Sequence, residues 1–309
     1  MIEDTAKKNI LVTGSTGFLG RAVVDIFKQN TNYEVVSTTS KLHDLTKLED
    51  CIKATKNIDI IINLAGLVPS KIEQQKRPAE VFFINTLINL NIAEAARQNN
   101  VGKIIFLSSV VAYPLNIPSP FVETDFWNGP IADSNYAYGT AKRITETIAR
   151  AYTDQYGIET TTLLFPNLYG PGDKFDYTPP PLVPNIIKQI HTATNENTPE
   201  ITGGNNGDLE LDLLYITDAA MAVASAVDKN DLPALINISS SSTTSIKNVY
   251  AAIAKKLNYQ GNIIWEPGNV PIPRLMNNAL ARQNLDWQSQ VSFTEGISKT
   301  IDDYLKKDK

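Results

Sequence analysis

Asn9 to Gly20 reads NILVTGSTGFLG, and this stretch decides the fold. Ile10, Leu11 and Val12 are a short apolar run. Gly14, Gly17 and Gly20 follow in a GxxGxxG pattern, and an amphipathic run from Arg21 to Gln29 comes next. The order is strand, tight turn, helix. Glycine permits positive φ and lets backbone N–H groups come close to a ligand. The first turn of a helix adds unpaired donors and the positive end of the dipole, which suit a pyrophosphate. Glycines alone would read equally as a tight turn. Their place directly after a strand and before a helix predicts a dinucleotide-binding turn, with a spacing that differs from the commoner GxGxxG.

A chain of 309 residues has room for one large or two modest domains. The net charge of −5 argues against a nucleic-acid or anionic-membrane surface, which would need a basic patch. One cysteine, Cys51, excludes an internal disulfide. No apolar run approaches the roughly 20 residues of a membrane span, and MIEDTAKKN lacks the apolar centre of a signal peptide. The expectation is a cytoplasmic protein that binds neither nucleic acid nor membrane, with no metal site.

Outward from the glycines, strands and helices alternate. Strands are expected at Tyr33 to Thr38, Ile58 to Leu64, Lys103 to Ser109, Thr160 to Phe165 and Ala234 to Ser239, and helices at Ala79 to Asn99 and Asn135 to Tyr152. That alternation predicts an α/β fold, a doubly wound parallel Rossmann sheet with a smaller C-terminal α/β substrate domain. Residues 1–170 and about 212–239 would hold the dinucleotide, and about 171–211 and 240–309 the substrate. In the second part, Pro184 to Thr194 reads as a helix, Asn195 to Asp208 as a polar turn region, Ser245 to Leu257 as a helix capped by Ser245, and Phe293 to Leu305 as a final helix. Asn85, inside its helix, reads as a solvent or capping residue, and His43 and His191 as loop or surface histidines.

An NAD site usually carries Asp or Glu about 20 residues beyond its glycines, for the ribose 2′-hydroxyl. Here Ser37, Thr38, Thr39, Ser40 and Lys41 stand there. Hydroxyls and a cation favour NADP, with NAD as the alternative. Tyr138 and Lys142 are four apart on one predicted helix face. Tyrosine has a reference pKa of about 10, and a neighbouring ammonium would lower it, making Tyr138 a usable proton donor and acceptor. Ser109, at a strand end, could hydrogen-bond the same substrate oxygen. Tyr-xxx-Lys alone is as compatible with a packed tyrosine and a solvated lysine. The glycine turn, the strand-end serine and the Tyr-xxx-Lys helix in one order favour catalysis.

The chain resembles the extended short-chain dehydrogenases/reductases, in their sugar-nucleotide epimerase/dehydratase group, over nearly its whole length. The likeness rests on TGSTGFLG, NLAG (Asn63 to Gly66), Asn85, SSVVAYP (Ser108 to Pro114), YAYGTAK (Tyr136 to Lys142) and PNLYGPGDKF (Pro166 to Phe175). It is most similar to the GDP-L-fucose synthase branch, whose members are NADPH-dependent epimerase/reductases. The resemblance implies Ser109, Tyr138 and Lys142 as catalytic residues, Tyr138 protonating a C4 carbonyl oxygen. It implies cofactor contacts at Gly14, Ser15, Thr16, Gly17, Phe18, Leu19, Ser40, Lys41, Asp44, Leu45, Leu64, Ala65, Gly66, Tyr138, Lys142, Pro166 and Leu168. Substrate contacts would come from Ser109, Val110, Asn167, Lys188 and Arg274, the last as a phosphate ligand. The two helices at Ala79 to Asn99 and Tyr136 to Tyr152 resemble the pair that forms a four-helix interface, which implies a homodimer.

The departures are chemical. The epimerisation base of that branch, a cysteine two residues after the catalytic serine, aligns with Val111, and its partner histidine with Pro181. Neither exchanges a proton. Two substrate-side arginines align with Leu211 and near Lys188-Gln189. Val110 and Val111 exclude the carboxylate of a 4,6-dehydratase. The reading is an NADPH-dependent 4-ketoreductase of a nucleotide-linked (deoxy)sugar, without C3/C5 epimerisation. The alternatives are an NAD-dependent nucleotide-sugar 4-epimerase and a non-catalytic dinucleotide sensor.

Overall fold

The computed structural model describes residues 7–204, 207–268 and 273–307; Met1 to Ala6 and Pro271 lie outside them. The chain begins with β1 (Lys8–Thr13), α1 (Phe18–Lys28), β2 (Tyr33–Ser37), α2 (Leu48–Ala54), β3 (Ile60–Asn63), α3 (Lys71–Lys76), α4 (Pro78–Gln98), β4 (Lys103–Ser109), α5 (Tyr136–Tyr156) and β5 (Glu159–Phe165). It continues through β6 (Asn167–Tyr169), α6 (Leu182–Asn195), β7 (Glu200–Gly204), β8 (Glu210–Leu211), β9 (Leu213–Tyr215), α7 (Ile216–Asp228) and β10 (Leu235–Asn237). Last come β11 (Thr244–Ser245), α8 (Ile246–Leu257), β12 (Asn262–Trp265), α9 (Ala279–Leu285) and α10 (Phe293–Lys307).

The apolar runs become central strands because both sheet faces are covered. Alternate side chains sort to opposite faces: Ile10, Val12, Ile60, Ile62 and Ile105 enter one core, and Leu11, Ile61, Ile104 and Phe106 the other. α1 and α7 cover the first core, and α4 and α5 the second. The six strands are parallel, in the order β10-β5-β4-β3-β1-β2. Strand order reverses between β1 and β3, and in open α/β sheets ligands bind at such a switch point. The α/β, Rossmann-type reading holds.

A third core lies under α6, α8 and α10, where Ile186, Ile190, Val249, Ile253, Ile297 and Ile301 meet. The polar region 195–208 departs from expectation. It contains β7, which pairs in parallel with β12. The signal was hidden by Gly203 and Gly204; Trp265 of β12 lies against Gly203, where a Cβ would meet its ring at 2.6 Å. Residues 276–287 return to the main sheet: Met276 packs with Leu164 and Leu235, and Ala281, Leu285 and Trp287 join the first core. Among the described residues, no helix is long and apolar enough to cross a membrane.

Trp287 is buried, and its indole N–H donates to the Asp218 carbonyl at 3.0 Å. Trp287→Ala should lower stability by about 3–5 kcal/mol, read by urea unfolding. A loss under about 1 kcal/mol would mean that the tail does not support the sheet.

Candidate active site

Gly14 has φ +60° and lies against the end of β3; a Cβ there would stand 3.0 Å from Ala65 N and from the Leu64 carbonyl. At Gly20 a Cβ would be 2.1 Å from Gly14 O. Gly17 is the N-cap of α1. No side chain caps the helix, and its first turn carries no acidic residue. A side-chain-free, uncapped helix start of this kind fits a pyrophosphate. Arg21 braces the turn, donating to Thr16 O and Gly172 O, both at 2.6 Å, while Gly172 N donates to Asp303 Oδ2 at 2.7 Å. The sequence reading did not single out Arg21. A cation just after the third glycine was the available signal, but its partner is 151 residues away.

Beyond β2, Ser40 and Lys41 are exposed. Other residues expected to contact the cofactor are engaged. Ser15 Oγ donates to Thr38 O at 3.2 Å. Asp44 accepts from Thr46 Oγ1 (2.6 Å) and Thr46 N (3.1 Å), which hold its carboxyl below the usual range. Leu45 is buried in the second core. His43 lies in the loop after β2, its Nδ1 2.8 Å from Thr38 Oγ1.

The ends of β3 and β4 face α5. Tyr138 and Lys142 are both buried, with Lys142 Nζ 5.8 Å from the Tyr138 ring centre. Lys142 Nζ donates to Leu107 O at 3.4 Å, and Ser108 Oγ donates to Lys142 O at 2.8 Å. Ser109, the next residue, ends β4 half-buried, its Oγ accepting from Val111 N at 3.5 Å. A Cβ on Gly66 would lie 2.8 Å from Asn85 Oδ1 and 3.7 Å from Lys142 Nζ, so the glycine after β3 opens onto the lysine. Asn85 is neither a solvent residue nor a cap. It is buried, donates to Leu67 O (2.9 Å) and Val81 O (2.8 Å), and accepts from Leu67 N (3.1 Å). It holds the chain beyond β3 in place, a role invisible before the loop was placed beside α4.

The electrostatics correct one expectation. Burial pushes the Tyr138 phenol above its ordinary value, and burial pulls Lys142 down to about 8. Desolvation of the pair outweighs the attraction that was expected to acidify the phenol. Tyr138 therefore keeps its proton across the neutral range, which suits donation.

Arg274 is turned inward. It donates to Val110 O (2.7 Å), Tyr113 O (3.2 Å) and Pro114 O (3.4 Å), over the Phe121 ring. It clamps the loop after Ser109 instead of offering a free fork to a phosphate. Arg143 does likewise from α5, donating to Ala112 O at 2.7 Å and Gly129 O at 2.9 Å. Val110 and Pro166 are buried, Leu168 packs against the first core, and Asn167 is exposed. Lys188 Nζ donates to Phe175 O at 3.3 Å. Gln189 bridges three elements, donating to Thr202 O at 2.8 Å and accepting from Tyr250 OH at 2.7 Å. Pro181 is the N-cap of α6, and Leu211 sits half-buried in β8. Among the described residues no group of His, Cys, Asp and Glu could hold a metal ion.

A parallel sheet with a glycine turn at its switch point, facing a buried tyrosine–lysine helix, defines an NAD(P)-dependent protein of the short-chain dehydrogenase/reductase type. Residues 10–239 match the model of the NAD dependent epimerase/dehydratase family, and the chain belongs to that family. It is 26% identical over 314 residues to the GDP-L-fucose synthase of Escherichia coli (strain K12), covering 97% of this chain and 98% of that protein. A GDP-L-fucose synthetase from Naegleria fowleri bound to NADP is 25% identical, with a TM-score of 0.87 over 97% of this chain and 93% of that one. The GDP-mannoheptose C4 reductase of Campylobacter jejuni with NADP bound shares the fold, at 21% identity and a TM-score of 0.88 over 97% and 98% of the two chains. Members of the family act on nucleotide sugars and bind NAD(P).

Because backbone, not a flexible side chain, opposes a methyl group at position 20, Gly20→Ala should force α1 away from the turn. The expected result is a stability loss of about 1–3 kcal/mol together with weaker dinucleotide binding, read by chemical unfolding and fluorescence titration with NADPH. Unchanged affinity would remove the turn from the binding site.

Proposed function

We propose that the protein is an NADPH-dependent reductase of a nucleotide-linked 4-keto (deoxy)sugar that does not epimerise C3 or C5. The observation that carries this reading is the buried, proton-retaining Tyr138 beside Lys142; Val111 and Pro181, at the positions where the resemblance would put a proton-exchanging pair, support the lack of epimerisation. The glycine turn and the uncapped start of α1 would take the pyrophosphate. Exposed Ser40 and Lys41 would take a 2′-phosphate, which favours NADP over NAD. Leu64, Ala65, Gly66, Pro166 and Leu168 would flank the nicotinamide half. When bound, the dinucleotide supplies the hydride. Tyr138 gives its proton to the C4 oxygen, Ser109 donates a hydrogen bond to the same oxygen, and Lys142 holds the ribose and the positive charge beside the phenol. Asn167, Val110 and Lys188 would line the sugar side.

In this reading the main sheet holds the dinucleotide and the part around the third core holds the substrate, with residues 276–287 belonging to the former. The exposed side chains Phe82, Phe83 and Leu90 on α4 and Tyr156 on α5 support burial of these helices in a homodimer.

Tyr138→Phe should lower reduction of a GDP-4-keto-6-deoxyhexose by about 10²–10⁴-fold and leave NADPH affinity nearly unchanged; full turnover would end the catalytic assignment. In D2O the wild-type product should carry no deuterium at C3 or C5. Label there would show that epimerisation survives. A 4-epimerase would instead retain NAD through purification and make no net redox change.

The pH dependence follows from Lys142. Its ammonium is present below about 8 and lost above it, while Tyr138 keeps its proton on both sides. Reduction, followed as kcat/KM for the free enzyme, should therefore be level on the acid side and fall as pH rises through about 8. A rate that climbs through that range would contradict the assignment.

A further inference from the structure

A file of side-chain hydrogen bonds crosses the buried layer between the glycine turn and α5. At the end of β1, Thr13 Oγ1 accepts from Ala65 N at 3.1 Å and donates to Asn63 Oδ1 at 2.7 Å. Asn63 Nδ2, at the end of β3, donates to Asn89 Oδ1 of α4 at 2.8 Å. Asn89 Nδ2 donates to Thr145 Oγ1 of α5 at 2.8 Å, and Thr145 Oγ1 donates to Ala141 O at 3.1 Å. All four side chains are buried.

The file has one direction. Thr145 gives its proton to a carbonyl, so it must accept from an amide N–H. That orients Asn89, which orients Asn63, which requires the proton of Thr13. The ends are a backbone donor and a backbone acceptor, so each hydrogen bond supports its neighbours. The positions of the ends matter. Thr13 precedes Gly14, and Ala65 is the residue that Gly14 approaches. Ala141 precedes Lys142, and Tyr138 lies one turn earlier. Asparagine is a weak helix former, and burying its amide costs stability unless every partner is present. Leucine at position 89 would pack the same layer without fixing a distance, because apolar contacts slide and hydrogen bonds have a narrow length range.

We propose that Thr13, Asn63, Asn89 and Thr145 form a strut that sets the span between the dinucleotide turn and the Tyr138–Lys142 turn, with Asn89 as the central positioning residue. What the span is used for, hydride delivery to a carbonyl, rests on the reductase reading above.

Two measurements test it. The Asn63→Leu/Asn89→Leu double variant removes both amides, while Thr145 keeps Ala141 O and Thr13 keeps Ala65 N as partners. With NADPH and a GDP-4-keto-6-deoxyhexose as probe, its kcat should fall by about 10²-fold, by more than KM for NADPH rises, with cooperative unfolding retained. A folded variant with wild-type kcat overturns the strut. The second measurement needs neither turnover nor the leucine pair. Thr13→Val and Thr145→Val are combined, and the dissociation constant of NADPH is measured by fluorescence. Through the strut, the double variant should differ from the product of the singles by more than about threefold; additivity within that limit overturns the proposal. If wild type does not turn over the probe, the reductase reading fails on its own, and the threonine cycle still decides the strut.

Discussion

Two backbones touch where side chains are missing, and the crevice stands on that contact. With Gly14 against Leu64 and Ala65, and Gly20 against Gly14, the start of α1 comes down onto the carboxyl ends of β1 and β3. Any side chain at Gly20 would fill the space through which the helix meets the turn. β4 runs beside β3 and ends at Ser109, and α5 packs against β4, carrying Tyr138 and Lys142 one turn apart. Gly66 continues the same logic one residue past Ala65, where a Cβ would stand 3.7 Å from Lys142 Nζ.

Burial then decides the chemistry of the pair. An ammonium and a phenol withdrawn from water each lean toward their neutral forms, and among the described residues no carboxylate stands near enough to reverse this. The loop after Ser109 is tied from two sides by guanidinium groups. Arg143 reaches it from α5, and Arg274 reaches it from the returning tail. Leu211 is half-buried in β8, and Gln189 is held by Thr202 and Tyr250.

Much of this was legible from local pattern. The continuous apolar runs at Ile10–Val12 and Ile60–Ile62 announced central strands, since a sheet covered on both faces buries every side chain of such a run. The Ser245 cap was readable too, and its Oγ accepts from Asn248 N at 3.2 Å. What escaped was set at a distance. Asn85 looked like a surface residue because nothing in its helix reveals the loop it grips. β7 was masked by its glycines, of which Gly203 admits Trp265 from another strand. Arg274 looked available to a phosphate because its three carbonyl partners lie about 160 residues earlier. The phenol's acidity was misjudged for the same reason: spacing gives the neighbour, but not the solvent that both groups lose.

The amino-acid sequence by itself determined the order of strands and helices, the dinucleotide turn, and the family to which the chain belongs. These are properties of near neighbours: apolar period, glycine conformation, and residues one helical turn apart. Only the tertiary structure decided which polar groups are already engaged, which way the phenol–ammonium pair titrates, and which asparagines join the turn to the helix. Those depend on desolvation and on hydrogen-bond partners drawn from distant segments, and neither exists until the sheet and its covering helices have closed around them.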